Sequence, residues 1–249
     1  MRDTAVFLGP TLARKDARRV LDAVYHPPIC RGDLARLPEH VRFVGIIDGE
    51  FYQSLSVSPK EIVPLLRRGV KVCGASSMGA LRAAETWKLG MTGVGKIFEM
   101  FRDRILDADD EVALVYERDT YRNLSTPLVN IRCALEMAAS AGVIDEREKS
   151  NLLLRMKSLY FPDRSHHTLQ EMCPRLREYF KTTPFPDVKR DDALELLHTL
   201  RRMRSGESKI LQKASQAPES VQACSSSAPR RWRSPSPHFH GPARRLSSS

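Results

Sequence analysis

Disulfide chemistry and membrane spans are both poorly provided for in this 249-residue chain. Its five cysteines (Cys30, Cys73, Cys133, Cys173, Cys224) are odd in number and scattered, with no Cys-x-x-Cys pair. That excludes a disulfide framework and predicts a reducing, cytoplasmic setting. No stretch approaches the roughly 20 apolar residues of a membrane helix, and the opening Met1–Pro10 holds too short an apolar run for a signal peptide. No membrane partner is expected. Aromatic residues make up only 7%, with no basic strand interleaved by aromatics and no DNA-reading helix motif, so nucleic acid is not expected as a partner.

Charge is plentiful but unevenly placed. The formal net charge is +10. From Ser205 onward the text becomes Ser/Pro/Arg-rich, and its seven Lys/Arg against two Glu account for +5, half of the total. Such a composition buries too little apolar surface to offset chain entropy. The expected organisation is an α/β domain over residues 1–204 and a disordered basic tail over 205–249.

Within the domain, short β-branched runs alternate with helical spacing. Residues 4–8, 42–48 and 70–73 read as buried strands. Helices are expected at 12–24 and at 58–68, the latter opened by Ser58-Pro59-Lys60-Glu61, a capping box with proline at the first helical position. Strands separated by helices predict a parallel sheet with crossover helices, and ligands at the C-terminal strand ends. Gly9, Asp48 and the 74–79 turn then share one sheet edge, which is where the site is expected. Further on, 94–104 reads as helix, 111–116 as a strand and 127–141 as an amphipathic helix, and three more helical stretches between 145 and 204 make the second half mainly helical.

The most informative segment is Gly74-Ala75-Ser76-Ser77-Met78-Gly79, between a strand and an Ala/Leu-rich helix. This layout lifts a hydroxyl out of a strand-to-helix turn, and it leaves the N–H groups of Met78 and Gly79 to face a developing oxyanion. A serine nucleophile needs a base, and no histidine stands at a triad-like spacing. A lysine serves if its pKa falls from about 10.4 to near 7, a shift of roughly 4–5 kcal/mol that requires burial or nearby cations. Lys60 and Lys71 both precede Ser77 closely. Lys60, opening a crossover helix beside the sheet, is the better placed of the two.

Other chemistries fare worse. Gly90-Met91-Thr92-Gly93-Val94-Gly95-Lys96 fits the first part of a phosphate loop, but Ile97 stands where the magnesium-binding Ser/Thr belongs, and a helix precedes it where a strand is required. The acidic cluster Asp107, Asp109, Asp110, Glu111 lacks the loop glycine and terminal glutamate of a calcium site. The adjacent His166 and His167 point to different helix faces. A solvated acidic turn is the expected reading, with neither metal nor cofactor.

Five motifs in order carry a resemblance. Phe7-Leu8-Gly9-Pro10, Tyr25-His26-Pro27-Pro28-Ile29-Cys30-Arg31-Gly32-Asp33-Leu34, Ile47-Asp48-Gly49-Glu50-Phe51, Gly74 to Glu85, and Gly93-Val94-Gly95-Lys96-Ile97-Phe98 together resemble the TfuA family over residues 4 to about 140. The resemblance implies a partner of a YcaO enzyme, the ATP-using catalyst of peptide-backbone thioamidation. It implies help in recruiting the peptide substrate, and hydrolysis of the C-terminal thiocarboxylate of a ThiS-like sulfur carrier to release sulfide. Carried over motif by motif, it gives Ser77 as nucleophile and Lys60 as base. Asp48 and Arg82 are expected at the site edge, although an Arg82/Glu85 pair three apart also suits a helix-surface ion pair. The other function class is a non-catalytic adaptor that presents peptide to YcaO, the serine turn being only a tight turn.

Overall fold

The computed structural model describes residues 2–51 and 55–215, with side chains through residue 206. Residues Met1–Glu207 form one compact unit. Five strands, β1 (Thr4–Phe7), β2 (Val24–His26), β3 (Phe43–Ile46), β4 (Lys71–Ala75) and β5 (Thr92–Val94), make one parallel sheet in the order β2-β1-β3-β4-β5. Helices α1 (Arg14–Val20), α2 (Pro59–Arg67), α3 (Met78–Thr86) and α4 (Lys96–Arg102) connect or follow the strands. The order reverses direction between β1 and β3, and a crevice opens at such a switch point, outside the carboxyl ends of the strands.

Both faces of the sheet are covered, so its strands are continuous apolar runs rather than alternating ones. On one face Val44, Ile46 and Val72 pack with Ile62 of α2, Met78 and Ala83 of α3 and Ile97 of α4. The other face, carrying Val6, Phe43 and Cys73, is closed by α1 and by the last helix, α9 (Val188–Ser215), through Ala193, Leu196, Leu197 and Leu200. Each of those three leucines is fully buried, and burial of a leucine contributes about 1.5–3 kcal/mol. Gly45 makes the approach possible: a Cβ there would come within 2.8 Å of Leu200 and 2.9 Å of Leu196. A third core lies among α5 (Leu128–Ser140), α6 (Glu146–Ser158), α7 (His166–Met172) and α8 (Pro174–Thr182).

The expected α/β class with a parallel sheet and a mainly helical second half is what the structure has. Several details differ. The helix expected over 12–24 stops at Val20, and Val24–His26 pairs with β1 instead. Val94 ends a strand rather than starting a helix. The stretch 111–116 joins no sheet: the Val115 carbonyl accepts from the Leu124 and Ser125 N–H groups, its N–H donates to the Ser125 hydroxyl, and Tyr116 bridges Asn123 in an antiparallel loop. Four helices, not three, follow Asp145 among the described residues. The last of them continues to Ser215, past the boundary expected at Arg204, because Glu207, Lys209, Leu211, Gln212 and Lys213 are good helix formers. The rest of the expected tail, 216–249, lies outside the described residues. No described helix is long and apolar enough to cross a membrane.

Candidate active site at the switch point

The turn after β4 begins with a left-handed residue, Ser76 at φ +68°. It reverses the chain so that Ser77 becomes the N-cap of α3. The Ser77 N–H donates to the Ala75 carbonyl at 2.9 Å, tightening the turn, and the Ser77 side chain caps no backbone N–H of the helix. Its hydroxyl is therefore available for other chemistry. Ser76 is fully buried, with its Oγ 3.5 Å from the Thr11 hydroxyl.

The amine beside Ser77 is not Lys60. It is Lys189, in the first turn of α9, whose Nζ donates to Ser77 Oγ at 3.2 Å and to the Val112 carbonyl at 2.8 Å. Lys189 is only 2% exposed. Burial pushes its pKa down from the ordinary lysine value, while the Asp48 and Asp187 carboxylates pull it part of the way back. Lys60 lies exposed in the first turn of α2, its backbone N–H on the Ser58 cap. Ile62, two residues on and therefore about 200° around the helix, is the residue that faces the core. The structure does not bring Lys60 to Ser77.

Asp48 follows β3 and is buried. It accepts from the Gly9 N–H at 2.8 Å, the Thr11 N–H at 3.1 Å and the Thr11 hydroxyl at 2.6 Å. It thus ties the turns after β1 and β3 together under the site. Of the two expected oxyanion donors, the Gly79 N–H is already donated to the Ile47 carbonyl at 3.2 Å. Gly79 is a packing residue, since any Cβ would collide with the Ile46 carbonyl. Met78 opens α3, where a helix N–H has no intrahelical acceptor, and no described group accepts from it. Arg82 does not line the cavity that holds Ser77. Its guanidinium donates to the Val57 carbonyl (2.6 Å), the Ser56 hydroxyl (2.8 Å) and Glu85 (2.7 Å), bracing α3 against the segment before α2.

Ser77, Lys189 and Asp48 line a cavity of about 400 Å³, within the range of small-ligand sites. Its walls are largely apolar, from Pro10, Pro28, Phe51 and the 112–115 segment. Tyr116, also in the lining, donates its hydroxyl to Glu50 at 3.0 Å, and burial together with that carboxylate pushes the phenol pKa up. The segment that supplies the Val112 carbonyl is held from behind. Arg164, itself buried, donates to the Asp110 carbonyl and carboxylate at 3.0 and 2.7 Å, and buried Glu111 pairs with Arg132 at 2.7 Å. Asp110 and Glu111 thus anchor this segment, while Asp107 and Asp109 are exposed as expected of a solvated turn, and no group of metal-binding side chains occurs among the described residues.

The glycine-rich run before α4 finds its anion inside the protein. The Lys96 and Ile97 N–H groups donate to the two oxygens of Asp192 at 2.9 and 2.8 Å, taking the place a phosphate would occupy. Burial pushes the Asp192 carboxyl up to about 6. Asp192 lies one turn beyond Lys189, so this contact also fixes where α9 starts.

Residues 48–165 match the family model described as TfuA-like protein. The match, over somewhat less than half of the chain, supports assignment to the TfuA-like family. That likeness points to a YcaO-associated role in thioamidation. The matched span of this TfuA-like protein includes Asp48, Ser77 and Val112 but ends before Lys189. No curated protein matches the chain.

Proposed function

We propose that this TfuA-like protein hydrolyses the C-terminal thiocarboxylate of a ThiS-like sulfur carrier and so supplies sulfide to a YcaO partner, whose peptide substrate it also helps to recruit. The observation that carries the reading is the buried Lys189 amine within hydrogen-bond reach of Ser77 Oγ, at the floor of a cavity on the sheet's carboxyl edge. A desolvated lysine is the kind of base a serine needs when no histidine is at hand. Ser77 Oγ attacks the thiocarboxylate carbon while Lys189 takes the hydroxyl proton. The Met78 N–H donates to the oxyanion, and the proton on Lys189 leaves with sulfide. Water then cleaves the Ser77 ester, with Lys189 acting first as base toward the water and then as acid toward Ser77 Oγ. The cavity's size suits an extended carrier tail, not a folded domain. The free thiols at Cys30, Cys73, Cys133 and Cys173 suit a reducing cytoplasm.

The test is a pH–rate profile of sulfide release from thiocarboxylated carrier, with a Lys189→Arg variant beside it. The rate should climb along the titration of a lysine with a depressed pKa. Lys189→Arg should be inactive, since guanidinium stays charged and accepts no proton. An active arginine variant would remove Lys189 from the base role.

A further inference from the structure

Lys189 lines two cavities. The first is the 400 Å³ cavity that holds Ser77. The second, of about 340 Å³, shares only Leu114 and Lys189 with it, and Asn130, Asp187, Thr11 and Ser165 line it beside Lys189. Ser77 lines the first cavity and not the second, so acyl transfer to the serine belongs to the first. What the second can deliver is something for the base alone.

The lining chemistry says what that is. Apart from Lys189, the second cavity carries no lysine or arginine, and Asp187 places a carboxylate in its wall. The first cavity adds Arg118 to Lys189 among its carboxylates, whereas the second has no further cation and holds a small neutral donor-acceptor through hydroxyls and amides. Asn130 is buried and hydrogen-bonded through Nδ2 to Asp187 at 3.1 Å, with its Oδ1 unpartnered. That is a polar environment of the sort buried water satisfies. Once a carrier tail is esterified to Ser77 it fills the first cavity, and solvent needs another way to the ester.

Resting on the hydrolase reading above, we propose that the Asn130/Asp187 cavity is the water port of the second half-reaction, admitting the water that Lys189 deprotonates to attack the Ser77 ester. The attack breaks the ester bond, returns one proton of the water through Lys189 to Ser77 Oγ and forms the carrier's carboxyl group, which releases the other proton to solvent. Oxygen from water enters the product and no other co-reactant is consumed. One cavity thus receives the acyl chain, the other receives water, and a single amine serves both.

Two substitutions close the port without touching Ser77 or Lys189: Asn123→Trp, on an exposed residue of the cavity lining, and Asn130→Leu, which makes the wall apolar and removes one hydrogen bond from Asp187. With thiocarboxylated carrier as the probe, each variant should release a burst of about one sulfide per protein and then turn over about tenfold more slowly, with kcat/KM within about twofold of wild type. Intact-mass spectrometry should show the carrier esterified to Ser77, absent from the wild type at steady state. Unchanged kcat in Asn123→Trp, at an exposed position, would overturn the proposal. So would a fall in kcat/KM without an ester, which would make the cavity part of acyl-donor binding. Failure of the hydrolase reading is separately visible, as sulfide release that survives Ser77→Ala.

Discussion

Replacing Lys189 by methionine tests the electrostatic core of this account through stability rather than catalysis. The side chain keeps its length and loses the amine. Two effects oppose each other: the Val112 carbonyl loses the donor now at 2.8 Å, which costs about 1–3 kcal/mol for a buried acceptor, while the chain is relieved of burying a lysine. The second effect depends on pH and the first does not. Lys189 has a folded pKa below its unfolded value, so in the window between them the unfolded chain binds one more proton than the native one. Wild-type stability therefore rises with pH relative to Lys189→Met, by up to about 1.4 kcal/mol per unit, until the unfolded lysine value near 10.4 is reached. Urea unfolding of both proteins at pH 7, 8 and 9 reads this directly. The gap between them should move in favour of wild type at each step. Parallel curves would mean that Lys189 stays charged in the fold, paired with Asp48 and Asp187, and could not serve as a resting base.

Two further outcomes follow from the site's geometry. Lys60→Ala should leave sulfide release within about twofold of wild type and lower stability by less than about 0.5 kcal/mol, as for an ordinary surface position; loss of activity would return the base role to α2. Ser76→Gly should keep hydrolysis and change stability by no more than about 1 kcal/mol in urea unfolding, because relief of the left-handed backbone at φ +68° is offset by the entropy of an added glycine. Loss of hydrolysis there would move the nucleophile to residue 76.

The sheet was legible because its central strands are buried on both faces and are written as unbroken apolar runs ending at glycine or aspartate. The edge strands β2 and β5 were not, since three residues carry no periodicity and Gly93 leaves little β signal at all. Ser77 and Asp48 could be placed at one sheet edge from topology alone, as both directly follow parallel strands. The amine beside Ser77 was not legible because it comes from more than 110 positions away in sequence, beyond any argument from local spacing. A signal did exist. Lys189 stands in register with Ala193, Leu196, Leu197 and Leu200, and a lysine in line with the apolar stripe of a core-facing helix is either a mistake in the assignment or a buried amine. The Arg82/Glu85 pair that the spacing suited is formed, with the Val57 carbonyl as a further acceptor for Arg82, and the Gly79 N–H, expected to face an oxyanion, donates to the Ile47 carbonyl. The glycine-rich stretch before α4 looked like an anion loop because it is one, already filled by Asp192.

The central claim is that the Ser77 hydroxyl, served by Lys189, splits a thiocarboxylate, and the most direct measurement is sulfide release from thiocarboxylated carrier by the purified protein in the absence of any YcaO enzyme, wild type and Ser77→Ala side by side. Wild type should turn over, and Ser77→Ala should lose at least about a thousandfold in kcat/KM, as removal of an activated nucleophile does. Equal sulfide release by the two proteins would contradict the claim and leave the turn after β4 as a structural feature of a peptide-presenting adaptor.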